Sequence, residues 1–231
     1  MDASEVSGPR PAQVFLIFVA KALHLAPEGI GITLAIAGAS VVAWVMGLSW
    51  LALIGVILAL AVAGFFRDPE RTPDRVNDVV LSGADGRVTD IVEAALPGAA
   101  SSRFRRVSVF MSPLNVHVNR ASVSAEVLSV THTAGEFRAA FRDYASEHNE
   151  RNTIVFKDPD GRDHAMVQIA GYLARRIVCR LRPGDRIMIG QRIGMIMFGS
   201  RVDHYLPLEY RLAVKLGDRV RAGESVIGER A

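Results

Sequence analysis

The sequence predicts a mainly β protein of the α+β class: a compact, sheet- or barrel-like domain with few helices, preceded by an N-terminal hydrophobic helical hairpin. Three observations carry this. From Ile30 to Phe66 no side chain is charged, whereas from Arg67 onward polar and apolar residues mix in ordinary proportion. After Asn77 the apolar residues fall in short runs, rich in β-branched side chains and separated by turn residues, as half-buried strands require. Near the C-terminus, Gly184-Asp185-Arg186-Ile187-x-x-Gly190-x-x-Ile193 recurs as Gly217-Asp218-Arg219-Val220-x-x-Gly223-x-x-Val226, with glycines at fixed offsets where positive-φ turns are needed. The change in composition near Arg67 divides the 231 residues into a helical region, 1–66, and a β-domain, 67–231.

Taken in order, residues 14–26 are apolar but interrupted by Lys21 and His24, which fits a signal peptide badly. An amphipathic helix at a membrane interface, with Phe15, Phe18 and Leu25 on its apolar side, fits better. The uncharged stretch that follows exceeds the roughly 20 residues of one membrane-crossing helix. It breaks at Gly47-Leu48-Ser49, between Trp44 and Trp50, the residue type favoured at membrane interfaces. Helices over 29–46 and 50–66 are expected, joined by an uncharged turn. Lys21 before the hairpin and Arg67, Arg71 and Arg75 after it place both ends on the cytoplasmic side. The expected location is the cell membrane with the β-domain on its cytoplasmic face, whether the hairpin spans the bilayer or only embeds in it. A buried hairpin in a soluble protein has the same composition.

In the second region strands are expected over 87–92, 107–110, 125–130, 153–156 and 165–170. A helix is expected over 135–147, where Phe137, Ala140, Phe141 and Tyr144 recur at helical spacing. Asp158-Pro159-Asp160-Gly161 is a hairpin turn between two of the strands. The two glycine-spaced repeats should each form a hairpin-like unit. Their turn grammar resembles that of lipoyl and biotinyl carrier domains, but neither copy holds a lysine between hydrophobic residues, which excludes a carrier function.

Cys179 is the only cysteine, so an intrachain disulfide and a cysteine-based metal cluster are both excluded, and no metal site is expected. Its setting, Arg-Ile-Val-Cys-Arg, reads as a strand with the thiol packed inside. The formal charge is +3, and Lys21, Lys157 and Lys215 are the only lysines. Arginine suits bidentate phosphate contacts and anionic phospholipid headgroups, although a genome-wide bias yields the same composition. The arginines are dispersed and lack interleaved aromatic platforms, so no nucleic-acid partner is expected.

Residues 184–200, ending Gly190-Gln191-Arg192-Ile193-Gly194-Met195-Ile196-Met197-Phe198-Gly199-Ser200, resemble the processing segment of phosphatidylserine decarboxylases. Four further stretches match the short form of that family in order: Phe65-Phe66-Arg67-Asp68-Pro69-Glu70-Arg71; Ser82-Gly83-Ala84-Asp85-Gly86; Met111-Ser112-Pro113-Leu114-Asn115-Val116-His117-Val118-Asn119-Arg120; and, more weakly, Asn149-Glu150-Arg151-Asn152. The resemblance implies a pyruvoyl-dependent carboxy-lyase of phospholipid biosynthesis, made as a zymogen, that converts phosphatidylserine to phosphatidylethanolamine and carbon dioxide. It implies autocatalytic cleavage between Gly199 and Ser200, with Ser200 becoming the pyruvoyl group. Chains 1–199 and 200–231 would then remain together as a heterodimer.

The chemistry agrees with these residue types. Decarboxylation of an α-amino acid needs an electron sink, which a carbonyl condensed with the substrate amine provides. Lys157 and Lys215 lack a phosphate-cradling context, which argues against pyridoxal phosphate. A serine hydroxyl needs a base, best a histidine held by a carboxylate, and a glycine leaves its carbonyl open to approach. By the resemblance His117 is the base and Asp85 orients it. Where longer family members have a second histidine, this chain has Leu114, so protonation of the substrate carbanion falls to His117, His148 or His132. Arg201 replaces the small hydroxyl residue common after the serine, which bears on specificity. Two other readings stay open: a related pyruvoyl decarboxylase of another amino-lipid or amino acid, and an uncleaved β-domain that binds anionic lipid.

Overall fold

The computed structural model describes residues 23–96, 103–136, 148–171, 176–197 and 199–230. The chain divides into two units, Met1–Glu70 and Arg71–Ala231. Most of the helices expected over 14–26 and 135–147, and Phe198, lie outside the described residues.

In the first unit, α1 (Pro27–Val45) and α2 (Ser49–Phe65) form the expected hairpin. Pro27 opens α1 at a position where its missing N–H costs nothing. Gly47, at φ +78°, makes the turn. The helices meet through small residues: a Cβ on Gly55 would collide with Ser40 Oγ, and Ala52 and Ala59 are buried beside it. Ser40 turns its hydroxyl inward to the Ile36 carbonyl, at 2.7 Å. The outer faces are apolar as well, with Trp44, Val45 and Leu60 all at least two-thirds exposed. A helix apolar all round calls for apolar surroundings. Of the two, α1 is long and apolar enough to cross a membrane, while α2, at 17 residues, is shorter.

The second unit is built of antiparallel strands. These are β1 (Val79–Leu81), β2 (Gly86–Ala95), β3 (Arg103–Met111), β4 (Val118–Arg120), β5 (Ala125–Thr133), β6 (Arg151–Lys157), β7 (Asp163–Ile169), β8 (Ile177–Cys179), β9 (Arg186–Ile187), β10 (Arg192–Ile196), β11 (Ser200–Pro207), β12 (Tyr210–Leu212), β13 (Arg219–Val220) and β14 (Val226–Arg230). Eight of them form a curled half-barrel sheet in the order β13-β2-β3-β11-β7-β6-β5-β9. Two three-stranded sheets, β1-β14-β12 and β4-β10-β8, complete the unit. The mainly β class holds, and the five expected strands correspond to β2, β3, β5, β6 and β7. The turn after Asp158 joins β6 to β7, with Gly161 at φ +83° and its N–H donating to the Asp158 carbonyl at 3.0 Å.

The glycine-spaced repeats occupy opposite ends of the eight-stranded sheet. Gly184 and Gly217 stand at φ +89° and +87°, Gly190 and Gly223 at +80° and +74°. Gly184 N–H donates to Val127 O and Gly217 N–H to Val88 O, each at 2.8 Å; Val127 N–H and Val88 N–H donate back to Asp185 O and Asp218 O, each at 2.9 Å. Each repeat thus begins with a short edge strand, β9 or β13, laid on the start of a long one, β5 or β2. Both long strands then bulge near the same point, after Val127 and after Val88. The duplication therefore extends from the repeats to the strands that receive them.

The main core lies between the sheets and includes Val109, Phe156, Met166, Ile193, Val202 and Leu206. Cys179 is only half-buried at its edge. Burial pushes its thiol pKa up, partly offset by hydrogen bonds from the Leu181 backbone and the Asn152 side chain.

Candidate active site

Strand β11 runs between β3 and β7, so its backbone is paired on both sides and its first seven residues are buried. Ser200 opens this strand opposite Met111, the last residue of β3. Its side chain is wholly enclosed, with Oγ donating to Met111 Sδ at 3.5 Å. A thioether is a weak acceptor, so this contact holds the hydroxyl without activating it. Gly199 stands at φ +62°, the left-handed region, in the residue whose carbonyl precedes the serine.

Beyond Met111 the chain folds into a tight turn. Asn115 Oδ1 accepts from Ser112 N–H and Oγ, at 2.9 and 2.8 Å, and Asn115 N–H donates to Ser112 O at 2.9 Å. This turn delivers His117, completely buried, to the start of β4. Ile196 N–H on β10 reaches the His117 carbonyl at 3.3 Å. Ser200 and His117 are therefore fastened to the two ends of one short connection. His117 Nδ1 lies 2.9 Å from the Asn115 carbonyl. A carbonyl only accepts, so Nδ1 carries the proton and Nε2 is the basic nitrogen of the neutral ring.

Asp85 projects from the loop between β1 and β2. Arg71 Nη1 and Nη2 donate to its two oxygens at 2.5 and 2.9 Å, and Ala222 N–H donates to Oδ1 at 2.8 Å. Arg71 Nη1 also reaches the Ala222 carbonyl, at 2.8 Å. In this geometry the carboxylate is held by a bidentate arginine, and the Asn115 carbonyl orients the His117 ring. The loop is fixed from two further directions. Gly83 N–H donates to His204 Nε2 at 2.7 Å, and Gly83 O accepts from Arg120 N–H at 2.9 Å. His204 lies on the Ser200 face of β11, wholly buried, with Nδ1 3.3 Å from Val107 O. Burial pulls its pKa down to about 4, partly opposed by the Val107 hydrogen bond, which keeps it a neutral acceptor for Gly83.

From sequence alone no role in the site falls to Arg71, to His204 or to a relay of buried amides. Asn152 Nδ2 donates to Gln168 Oε1 at 3.0 Å, Gln168 Nε2 to Asn119 Oδ1 at 2.9 Å, and Asn119 Nδ2 reaches the same Met111 sulfur at 3.8 Å. Every second residue of β11 faces one way, which was the available signal for His204. On the opposite face Arg201 forms an enclosed ion pair with Asp203, Nη2 to Oδ2 at 3.1 Å. Leu114 is 84% exposed at the tip of the 112–115 turn. His132 lies on β5 with an exposed ring 4.0 Å from Glu150, and His148 is half-buried.

The candidate site is thus a β-domain with a buried serine behind a left-handed glycine, and a buried histidine at the far end of the turn that leaves the serine's strand partner. The phosphatidylserine decarboxylase family model matches residues 58–228. The phosphatidylserine decarboxylase proenzyme of Chlorobium chlorochromatii is 45% identical over 179 residues, 78% of this chain and 84% of the relative. That of Mycolicibacterium smegmatis is 44% identical over 185 residues, 79% and 80% of the two chains. That of Solidesulfovibrio magneticus is 43% identical over 207 residues, 90% and 96% of the two chains. The chain belongs to the phosphatidylserine decarboxylase family.

Proposed function

We propose that this protein is a membrane-associated phosphatidylserine decarboxylase, made as a proenzyme, that cuts itself between Gly199 and Ser200 and releases carbon dioxide from phosphatidylserine to leave phosphatidylethanolamine. The observation that carries the reading is the enclosure of Ser200, one residue beyond the left-handed Gly199 and tied through the 111–117 connection to a Nδ1-protonated His117. Relatives that share more than 40% of their residues and bear the decarboxylase name support the activity.

His117 Nε2 takes the Ser200 hydroxyl proton as Oγ attacks the Gly199 carbonyl carbon, and the peptide C–N bond breaks as the proton passes to the Ser200 amine. The new Gly199–Ser200 ester loses its Cα proton and then its Oγ–Cβ bond, freeing the Gly199 carboxylate. The dehydroalanine left at position 200 gains water and loses ammonia, which yields the pyruvoyl group. Residues around Ser200 fit such a group: the position is enclosed within the domain. Once formed, the group supplies the electron sink for decarboxylation. Asp85 is proposed to act in the same site from its place in the Arg71 clamp.

The fragment 200–231 contributes β11, between β3 and β7, and β14, between β1 and β12. That interleaving supports a large and small chain remaining together as a heterodimer. The apolar hairpin α1–α2 supports attachment to the cell membrane, where a diacyl substrate has to be met. Arg67, Arg71 and Arg75 after it favour the cytoplasmic face.

The test is the intact mass of the denatured protein, joined to an assay of carbon dioxide release from phosphatidylserine vesicles. Two chains divided at 199/200, the smaller one resistant to Edman degradation, together with activity that Ser200→Ala abolishes, are expected. A single active chain of about 25 kDa would refute the mechanism.

A further inference from the structure

A cavity of about 530 Å³ opens beside Asp85, lined also by Arg87, Ser112, Asn115, Arg219 and Arg221. Arg87 on β2 and Arg219 on β13 are direct cross-strand partners. Like charges in that position repel. Neither has an ion-pair partner among the described residues. Arg221 is three-quarters exposed, with Glu224 3.7 Å away. The one carboxylate among the described lining residues, Asp85, is already engaged by Arg71.

The duplicated half of the domain supplies an internal control. There Glu126 on β5 pairs across to Arg186 on β9, opposite charges in the equivalent register. Ser124 stands where Asp85 does: its Oγ accepts Ile189 N–H at 3.0 Å, as Asp85 Oδ1 accepts Ala222 N–H. An equivalent cavity of about 580 Å³ is lined by Ser124, Glu126, Lys157, Asp158 and Arg186, with charges of both signs. Met188 occupies the repeat position of Arg221. The fold therefore does not require three arginines at this place; the same backbone is built elsewhere with balanced charge. The excess positive charge sits only where Ser112 and Asn115, the turn that orients His117, form the adjoining wall.

We infer that Arg87, Arg219 and Arg221 form a cradle for a phosphodiester monoanion, the headgroup phosphate of the lipid substrate, and so fix the serine end of the substrate beside Asp85 and the His117 turn. Planar guanidinium forks match phosphate oxygens in pairs. The assignment of the phosphate to a substrate rests on the decarboxylase reading; the cradle itself does not.

Two measurements on the full-length protein test this separately. In the first, the Arg87→Gln, Arg219→Gln and double variants are compared with wild type for extent of cleavage and for kinetics on dihexanoyl phosphatidylserine. Arg186→Gln, the equivalent position in the other repeat, serves as control. Cleavage should be complete in all. KM should rise about fivefold for each single variant, as exposed charge contacts allow, and more than tenfold for the double, with kcat changed less than twofold. An unchanged KM in the fully cleaved double variant, or an equal rise in Arg186→Gln, would overturn the cradle. In the second, uncleaved Ser200→Ala protein is titrated calorimetrically with glycerophosphoserine and with inorganic phosphate, with and without the arginine substitutions. Binding of glycerophosphoserine that the double substitution removes is expected. Inorganic phosphate bound in preference to the diester would overturn the headgroup assignment, and no binding of either would overturn the cradle. If wild type decarboxylates no phosphatidylserine, the functional reading fails, while this titration still decides the cradle.

Discussion

Arg71 grips Asp85 with both terminal nitrogens, at 2.5 and 2.9 Å, and the two side chains are only 7% and 10% exposed. The same guanidinium reaches the Ala222 carbonyl, while Ala222 N–H returns to the carboxylate. One ion pair thus joins the segment entering the β-domain, the loop between β1 and β2, and the turn after β13. Removing one member of a buried pair strands the other charge and typically costs about 3–5 kcal/mol. Arg71→Ala should lower the stability of the full-length protein toward that range in urea unfolding, and should slow the appearance of two chains after synthesis. Unchanged stability with full-rate cutting would make the clamp dispensable.

His117 is expected to act as base through Nε2, because the Asn115 carbonyl holds the proton on Nδ1. His117→Ala and Asp85→Asn should each leave mostly uncut chain in a timed mass measurement, and Ser200→Ala wholly uncut chain. Efficient cutting by the His117 variant would remove that residue from the mechanism. Asn115→Ala keeps the carbonyl that orients the ring but removes the acceptor that shapes the turn, so partial slowing is expected.

His204 gives the domain a defined response to acid. Its folded pKa is depressed to about 4 from an unfolded value of 6.5, chiefly by burial. Between those values the unfolded chain binds the proton and the folded chain does not. Stability from the neutral imidazole is therefore fully present above pH 6.5 and is lost as pH falls toward 4. At about 1.4 kcal/mol per unit the full loss is on the order of 3 kcal/mol. His204→Asn should flatten this slope in denaturant titrations from pH 7 to 4.5. A residual slope should remain from His164, whose pKa burial also lowers against the pull of Asp158. An identical slope in the His204 variant would show that other groups dominate.

The fate of individual strands explains what was legible in the sequence. Strands β2 and β5 alternate buried and exposed residues at their starts, and the period-two pattern located both. Strand β11 was missed because it is central and covered on both faces. Its charged residues, Arg201 and Asp203, satisfy each other inside, so Ser-Arg-Val-Asp-His reads as surface while being core. The glycine repeat was visible, but its meaning as two sheet edges received by duplicated strands needed the β2 and β5 registers. Ser200, His117 and Asp85 came from motif order. Arg71 was visible as a charge beyond the hairpin and as the end of one matching stretch, but not as the partner of Asp85, because no local pattern encodes a partner 14 residues away.

Gly199 allows the reacting bond itself to be tested. At φ +62° a residue with a Cβ is strained, by about 1–2 kcal/mol for most types, yet a Cβ built there meets nothing within 4 Å among the described residues. Substitution therefore acts on the backbone alone and not through a clash. Asparagine tolerates the left-handed region better than alanine, and β-branched valine worst. If the left-handed turn is what presents the carbonyl to Ser200 Oγ, cleavage rates should fall in the order Gly199, Gly199→Asn, Gly199→Ala, Gly199→Val, while the β-domain keeps its far-ultraviolet circular dichroism. Rates ordered by side-chain volume, with alanine faster than asparagine, would instead mean that space around the bond controls the reaction and that the turn relaxes before the serine attacks.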